Sequence, residues 1–130
     1  MCGSCYAFAA IADIESSYLF KGVQVDLSEQ QMVDCSQSFG NSGCEGGWMA
    51  YCFSYTMFKG AAEESSYPYS ESSFEDSVTG SCKSPKGKFR IKSYTYTSYR
   101  TYDCESLANM VEKRPVTAAV AVNFYFFFYG

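Results

Sequence analysis

At 130 residues and 47% apolar content, the chain is long enough for one core and too hydrophobic for a disordered segment. A net charge of -4 excludes a global basic field for nucleic acid, and the longest strictly apolar run outside the C-terminal end, Ala7 to Ala12, falls far short of the ~20 residues that span a bilayer. Histidine is absent, so no imidazole base or imidazole metal ligand comes from these residues.

Residues 5–21 read as a helix. Phe8, Ala9, Ala12, Leu19 and Phe20 give an apolar stripe near the 3.6 period, with Asp13, Glu15, Ser16 and Lys21 largely elsewhere, and Gly22 is the expected stop. Residues 29–35 read as a short second helix, with Ser28 as N-cap, Gln31 completing a capping box, and Leu27 and Met32 as a hydrophobic staple. Residues 36–47 are rich in Ser and Gly and read as loop. Residues 48–58 suit a buried helix closed by Gly60. Residues 61–87 are acidic, serine-rich and irregular, with Pro68 and Pro85 as breakers. Loose alternation over 89–99 predicts a strand. Residues 104–113 suit a helix ended by Arg114 and Pro115, and 116–122 a strand of small and β-branched residues. Helices lead and strands follow, which predicts the α+β class.

The two ends carry expectations of their own. Met1 is followed at once by Cys2, with neither the basic nor the apolar region of a signal peptide. Residues 124–129 are six uncharged aromatics, an aggregation hazard at a free terminus. Either they form a sticky final strand, or the chain is cut and they pack under sequence not present; the second is the expectation.

Cys5 falls in the first turn of the first helix. Backbone N–H groups are unpaired there and the macrodipole is positive, so a thiolate is favoured over a thiol. That makes Cys5 a candidate nucleophile, and the same N–H groups are candidate donors to an oxyanion. The plain alternative is a structural cysteine. Cys2 and Cys5 also form a C-x-x-C pair, a redox signature that normally follows a strand, whereas only Met1 precedes it here. A zinc site lacks a matching second pair and any histidine. Lys83, Lys86, Lys88, Arg90 and Lys92 hold half of the positive charge and read as a solvated face rather than a nucleic-acid surface.

Four motifs in one order go further. Cys2-Gly3-Ser4-Cys5-Tyr6-Ala7-Phe8 resembles the active-site signature of the papain-like cysteine peptidases. The stretch Leu27-Ser28-Glu29-Gln30-Gln31-Met32-Val33-Asp34-Cys35 resembles the family's second-helix motif. Gly43-Cys44-Glu45-Gly46-Gly47-Trp48 resembles its Gly-Cys-x-Gly-Gly loop, and Tyr67-Pro68-Tyr69 its Tyr-Pro-Tyr turn. The tail from Arg114 resembles the strand and turn that begin the family's second lobe. Tyr6 stands where the family usually has tryptophan.

The resemblance implies a papain-like α+β fold, with a helical left lobe over residues 1–94 and the start of a β-rich right lobe over 95–130. It implies peptide-bond hydrolysis by an endopeptidase through a thioester, with Cys5 as nucleophile, its N–H as an oxyanion donor, and no cofactor or metal. The family's histidine, its orienting asparagine and its oxyanion-hole glutamine have no counterparts in the chain, so the isolated chain is expected to be inactive. Gly46 and Gly47 match positions whose backbone pairs with an extended substrate. Trp48 and Met49 match walls of a substrate pocket and Ala119 its floor. Turn chemistry for the glycines and helix core for Trp48 and Met49 remain open. The implied disulfides are Cys2–Cys44 and Cys35–Cys82, leaving Cys5, Cys52 and Cys104. The implied partners are extended peptides or proteins, a prosegment and cystatin-like inhibitors, with no nucleic acid and no membrane. The implied location is lysosomal, vacuolar or extracellular. A non-catalytic peptide-binding or decoy relative is the main alternative, and the C-x-x-C redox module a second.

Overall fold

A computed structural model describes residues 1–84, 86–97, 104–123 and 125–126. Its centre is helix α1 (Cys5–Leu19), flanked by α2 (Glu29–Cys35) and α3 (Met49–Phe58). Ala7, Ala10, Ile11 and Ile14 form the buried stripe of α1, joined at its start by Tyr6. The small side chains of Ala7 and Ala10 leave room for neighbouring helices to approach. Leu27, Met32, Val33, Cys52 and Tyr55 complete the core from the other elements.

This corrects the expected stripe. Phe8 and Ala12 are exposed, Leu19 and Phe20 are 62% and 70% exposed, and only Ala9 is half-buried. The first eight residues of α1 are apolar on nearly every side, so the period alone offers two faces. Packing against α2 and α3 selects one of them. Along the other face, Ser16, Leu19 and Phe20 line a shallow cavity with Pro115.

The end of α1 follows its sequence. Gly22 sits at φ +75°, its N–H donates to Leu19 O at 2.8 Å, and Val23 N–H donates to Tyr18 O at 3.1 Å. At α2, Ser28 Oγ accepts from Gln31 N–H at 3.0 Å, as an N-cap does. The reciprocal half of the capping box does not form. Gln31 is buried, its Oε1 accepts from Ala62 N–H at 2.7 Å, and its Nε2 donates to Ser84 O at 2.9 Å. Ser28 N–H instead donates to Ala62 O at 3.0 Å. A buried amide must satisfy both ends, and bridging two segments does so where a single cap contact would not. Leu27 and Met32 are both fully buried.

The loop expected over 36–47 contains two 3-10 turns, Gln37–Phe39 and Gly43–Glu45. Helix α3 ends before Gly60, which adopts φ +83°. The irregular stretch holds a 3-10 turn at Glu64–Ser66 and a short helix α4 (Glu71–Asp76); Pro85 lies outside the described residues. Helix α5 (Cys104–Val111) forms as expected.

Neither expected strand forms among the described residues. Pairing is limited to two isolated antiparallel bridges, Leu27 with Glu63 and Ala61 with Phe89. Alternation is real around Phe89, but the neighbouring segment at 59–61 offers only a short edge. Residues 98 and 99 of that expected strand lie outside the described residues. In the 116–122 segment the Thr117 backbone bonds to the Asp13 carboxylate on α1 rather than to a neighbouring strand, and no strand is assigned there. Of the terminal aromatic run, only Tyr125 and Phe126 are described, and both are exposed.

Candidate active site

Cys5 is the first residue of α1, is exposed, and carries a free thiol. Its neighbours are held while it is not. Cys2 is bonded to Cys44, and Gly3 N–H donates to Cys44 O at 2.8 Å. A Cβ on Gly3 would stand 2.7 Å from that same oxygen, so the backbones meet where only glycine fits. Ser4 Oγ and Tyr69 Oη are 2.9 Å apart, and Phe8 packs edge-on against the Tyr69 ring with centroids at 5.2 Å. Tyr6 is buried and its hydroxyl donates to Gly43 O at 3.0 Å. Burial pushes the Tyr6 phenol well above its ordinary range, with Cys52, Asp34 and Cys5 adding to the effect. Tyr6 is therefore a neutral donor that ties α1 to the Gly43–Glu45 turn. The Cys5 N–H has no acceptor among the described residues.

The Gly-rich loop lies beside this helix start. Gly46 adopts φ +121°, where an L side chain is strained, and has open space beside it. Gly47 is constrained differently, since a Cβ there would stand 2.2 Å from Asn41 Oδ1 and 3.0 Å from Tyr6 Cε2. Trp48 is 57% exposed, and Met49 is half-buried against the core at the start of α3. The Gly-rich loop is brought beside the start of α1 by the Cys2–Cys44 bridge, by Gly3 against Cys44 O and Gly46 N, and by Gly47 against Tyr6. Ala119 is exposed, and no core contact joins it to that loop. Cys35 and Cys82 form the second disulfide.

Asn41 supports the Gly-rich loop, and its sequence context does not reveal this. It is buried, and its Oδ1 accepts the Trp48 N–H at 2.8 Å. Its Nδ2 donates to Ser36 Oγ at 2.8 Å and to Cys52 Sγ at 3.3 Å. An asparagine between glycine and serine reads as ordinary turn chemistry, and nothing in the local pattern marks it as buried. Burial pushes the Cys52 thiol up to about 12, against an opposing effect of the Asn41 amide, so Cys52 stays neutral and unreactive.

A carboxyl group set lies behind the site. Glu15 Oε1 accepts Leu27 N–H at 2.7 Å, and Glu64 Oε1 accepts Tyr69 N–H at 2.8 Å. Burial pushes Glu29 up to about 7, with Glu64, Glu15 and Asp26 adding repulsion. Burial likewise raises Glu15. Among the described residues, no group of His, Cys, Asp and Glu is placed to hold a metal ion. No helix among them is long and apolar enough to cross a membrane.

Comparison with known proteins assigns this arrangement a family. The model for "Papain family cysteine protease" matches residues 1–130. "Cysteine proteinase 3" of Dictyostelium discoideum is 38% identical over 121 residues, covering 92% of this chain. The chain spans 34% of that relative's length. Among solved structures, the bromelain protease from Ananas comosus in complex with the E64 inhibitor superposes with a TM-score of 0.77 at 35% identity. That match covers 96% of this chain and 55% of bromelain. Digestive procathepsin L 3 of Tenebrio molitor is 40% identical with a TM-score of 0.55, over 63% of this chain and 25% of that one. Helices α1 to α3 fit the helical left lobe of the papain-like α+β fold, and the chain belongs to the papain family of cysteine proteases.

Proposed function

We propose that Cys5 is the nucleophile of a cysteine-type endopeptidase. Its thiolate attacks the carbonyl carbon of a peptide bond, the carbonyl oxygen becomes an oxyanion beside the Cys5 N–H, and the amine leaves with a proton. A thioester remains, and water releases the acid. The proton is handled by a histidine that these 130 residues do not contain, so this chain alone binds without turning over. The carrying observation is the free, exposed Cys5 beside a bridged Cys2. That bonding also speaks against the redox reading, which needs Cys2 and Cys5 to exchange with each other.

Gly46 and Gly47 would pair with the backbone of an extended substrate. Trp48 and Met49 would wall a side-chain pocket, and Ala119 would join them from the 95–130 part of the chain, the start of a right lobe beside a left lobe of 1–94. Partners of this reading are extended peptides, a prosegment and cystatin-like inhibitors. Relatives solved as a proform and with E64 support that class. Two disulfides support an oxidising compartment, lysosomal, vacuolar or extracellular.

The test is covalent. E-64 should add one adduct mass to the chain and none to Cys5→Ala, while a fluorogenic dipeptide is not hydrolysed by the chain alone. The lack of histidine favours a second reading, a non-catalytic peptide-binding relative. Peptide binding that survives in Cys5→Ala, with no E-64 adduct on the unaltered chain, is its signature.

A further inference from the structure

Ser4 and Ser28 precede α1 and α2, and only Ser28 caps its helix. Ser28 is extended, at φ −80° and ψ 114°, and its Oγ accepts the Gln31 N–H at 3.0 Å. Ser4 has φ −89° and ψ 7°, outside the extended region an N-cap adopts, and its hydroxyl makes no cap bond. Ser4 is buried, and its Oγ lies 2.9 Å from Tyr69 Oη. Only the Ser4 carbonyl serves the helix, accepting from Ala7 N–H at 2.8 Å and from Phe8 N–H at 3.2 Å. The N–H groups of Cys5 and Tyr6 have no acceptor among the described residues.

Tyr69 is itself held at three points. Its N–H donates to Glu64 Oε1 at 2.8 Å, its ring meets Phe8 edge-on at 5.2 Å, and its hydroxyl meets Ser4. Glu64 is anchored in turn, its N–H donating to Asp26 O at 2.9 Å. The hydroxyl therefore reaches Ser4 from a fixed turn. A capping side chain and an anion at a helix start compete for the same first-turn donors. A cap bond to the Tyr6 N–H would have to be given up, or shared, whenever negative charge forms at Cys5. Engaging the Ser4 hydroxyl elsewhere leaves the positive end of α1 to Cys5.

We infer that Tyr69 is a positioning residue for the reaction at Cys5. By holding the Ser4 hydroxyl it withholds the N-cap of α1, and it reserves the Cys5 and Tyr6 N–H groups for the thiolate and for the oxyanion that follows. The inference rests on Cys5 as the nucleophile. Tyr69 acts through Ser4 and carries no step of the chemistry itself. Without the Tyr69 hydroxyl, Ser4 keeps a buried hydroxyl with no partner, and the unpaired first-turn N–H groups are donors one and two residues along the chain.

The experiment is the rate of Cys5 alkylation by iodoacetamide in the native chain as a function of pH, read by peptide mapping, with the exposed Cys104 as internal reference. Tyr69→Phe should slow Cys5 roughly fivefold near neutral pH, the worth of one capping bond, and displace its pH–rate profile toward alkaline pH. Cys104 should not change. Tyr69→Phe combined with Ser4→Ala should recover the parent rate and profile, because no hydroxyl is left to cap, and Ser4→Ala alone should not slow. A contact that merely stiffened the helix start would slow all three variants alike. If Tyr69→Phe loses its helical circular dichroism, Ser4→Ala alone decides, with parent kinetics supporting the inference and slower kinetics overturning it. Unchanged kinetics in folded Tyr69→Phe, or slowing that persists when Ser4→Ala is added, overturns the inference and leaves Cys5 as the nucleophile. A Cys5 that resists alkylation in the unaltered native chain overturns the peptidase reading, and this inference with it.

Discussion

Asn41 holds Trp48 from below: its Oδ1 accepts the Trp48 N–H at 2.8 Å, at the point where the Gly-rich loop becomes α3. The orientation of the amide is fixed by its other end. Ser36 Oγ donates to Met32 O and so has only its lone pairs to offer Nδ2 of Asn41. Cys52 Sγ accepts from the same nitrogen. An amide turned the other way would aim its oxygen at the lone pairs of Ser36 Oγ and leave the Trp48 N–H unpaired. Asn41→Ala should therefore lower stability by about 1–3 kcal/mol, the usual effect of stranding buried polar groups. Trp48 is the only tryptophan, so urea unfolding followed by its fluorescence reads stability and local environment together. An unchanged midpoint and unchanged emission would refute the role given to Asn41.

The two loop glycines should fail for different reasons. Gly46→Ala meets open space but is forced to keep φ +121° with ψ −179°, a region nearly confined to glycine, at roughly 1–3 kcal/mol. Gly47→Ala meets Asn41 Oδ1 at 2.2 Å and must push the loop off the amide. We expect Gly46→Ala to shift the melting temperature while preserving Trp48 emission. Gly47→Ala should change both. Identical behaviour of the two variants would show that the Asn41 contact is not what constrains Gly47.

Stability should rise on mild acidification. Burial raises Glu29 from an ordinary 4.5 to about 7 in the folded chain. Between those values the folded state binds more protons than the unfolded state, so stability falls as pH increases through that window. The chain should melt higher at pH 5 than at pH 7.5, and Glu29→Gln should flatten the difference. A melting temperature that climbs with pH over this range, unaltered in Glu29→Gln, would contradict the burial of Glu29.

Helices α1, α2, α3 and α5 and the cysteine were legible in the sequence because each rests on local chemistry, whereas α4 lies in a stretch read as irregular. Ser28 caps α2, Gly22 and Gly60 stop their helices, and Cys5 starts α1, all within a few residues of the signal. What was not legible depends on partners distant in the chain. The buried face of α1 could not be chosen from its own composition, because Phe8 and Ala12 are as apolar as Ala7 and Ile11. Gln31 looked like half of a capping box, yet Ala62 and Ser84 claim its side chain. Alternation over 89–99 was visible, but a strand needs a second edge, and among the described residues Ala61 alone pairs with it, at Phe89. Asn41 was hidden for the same reason, since Cys52 and Trp48 reach it only after folding.

The central claim is that the Cys2–Cys44 bond leaves Cys5 free to act. Iodoacetamide applied to the native chain, followed by peptide mapping without reduction, tests it directly. The account predicts alkylated Cys5, unlabelled Cys52, and linked peptides joining Cys2 to Cys44 and Cys35 to Cys82. A peptide containing a Cys2–Cys5 bond, or a Cys5 that resists alkylation until the chain is unfolded, would contradict it.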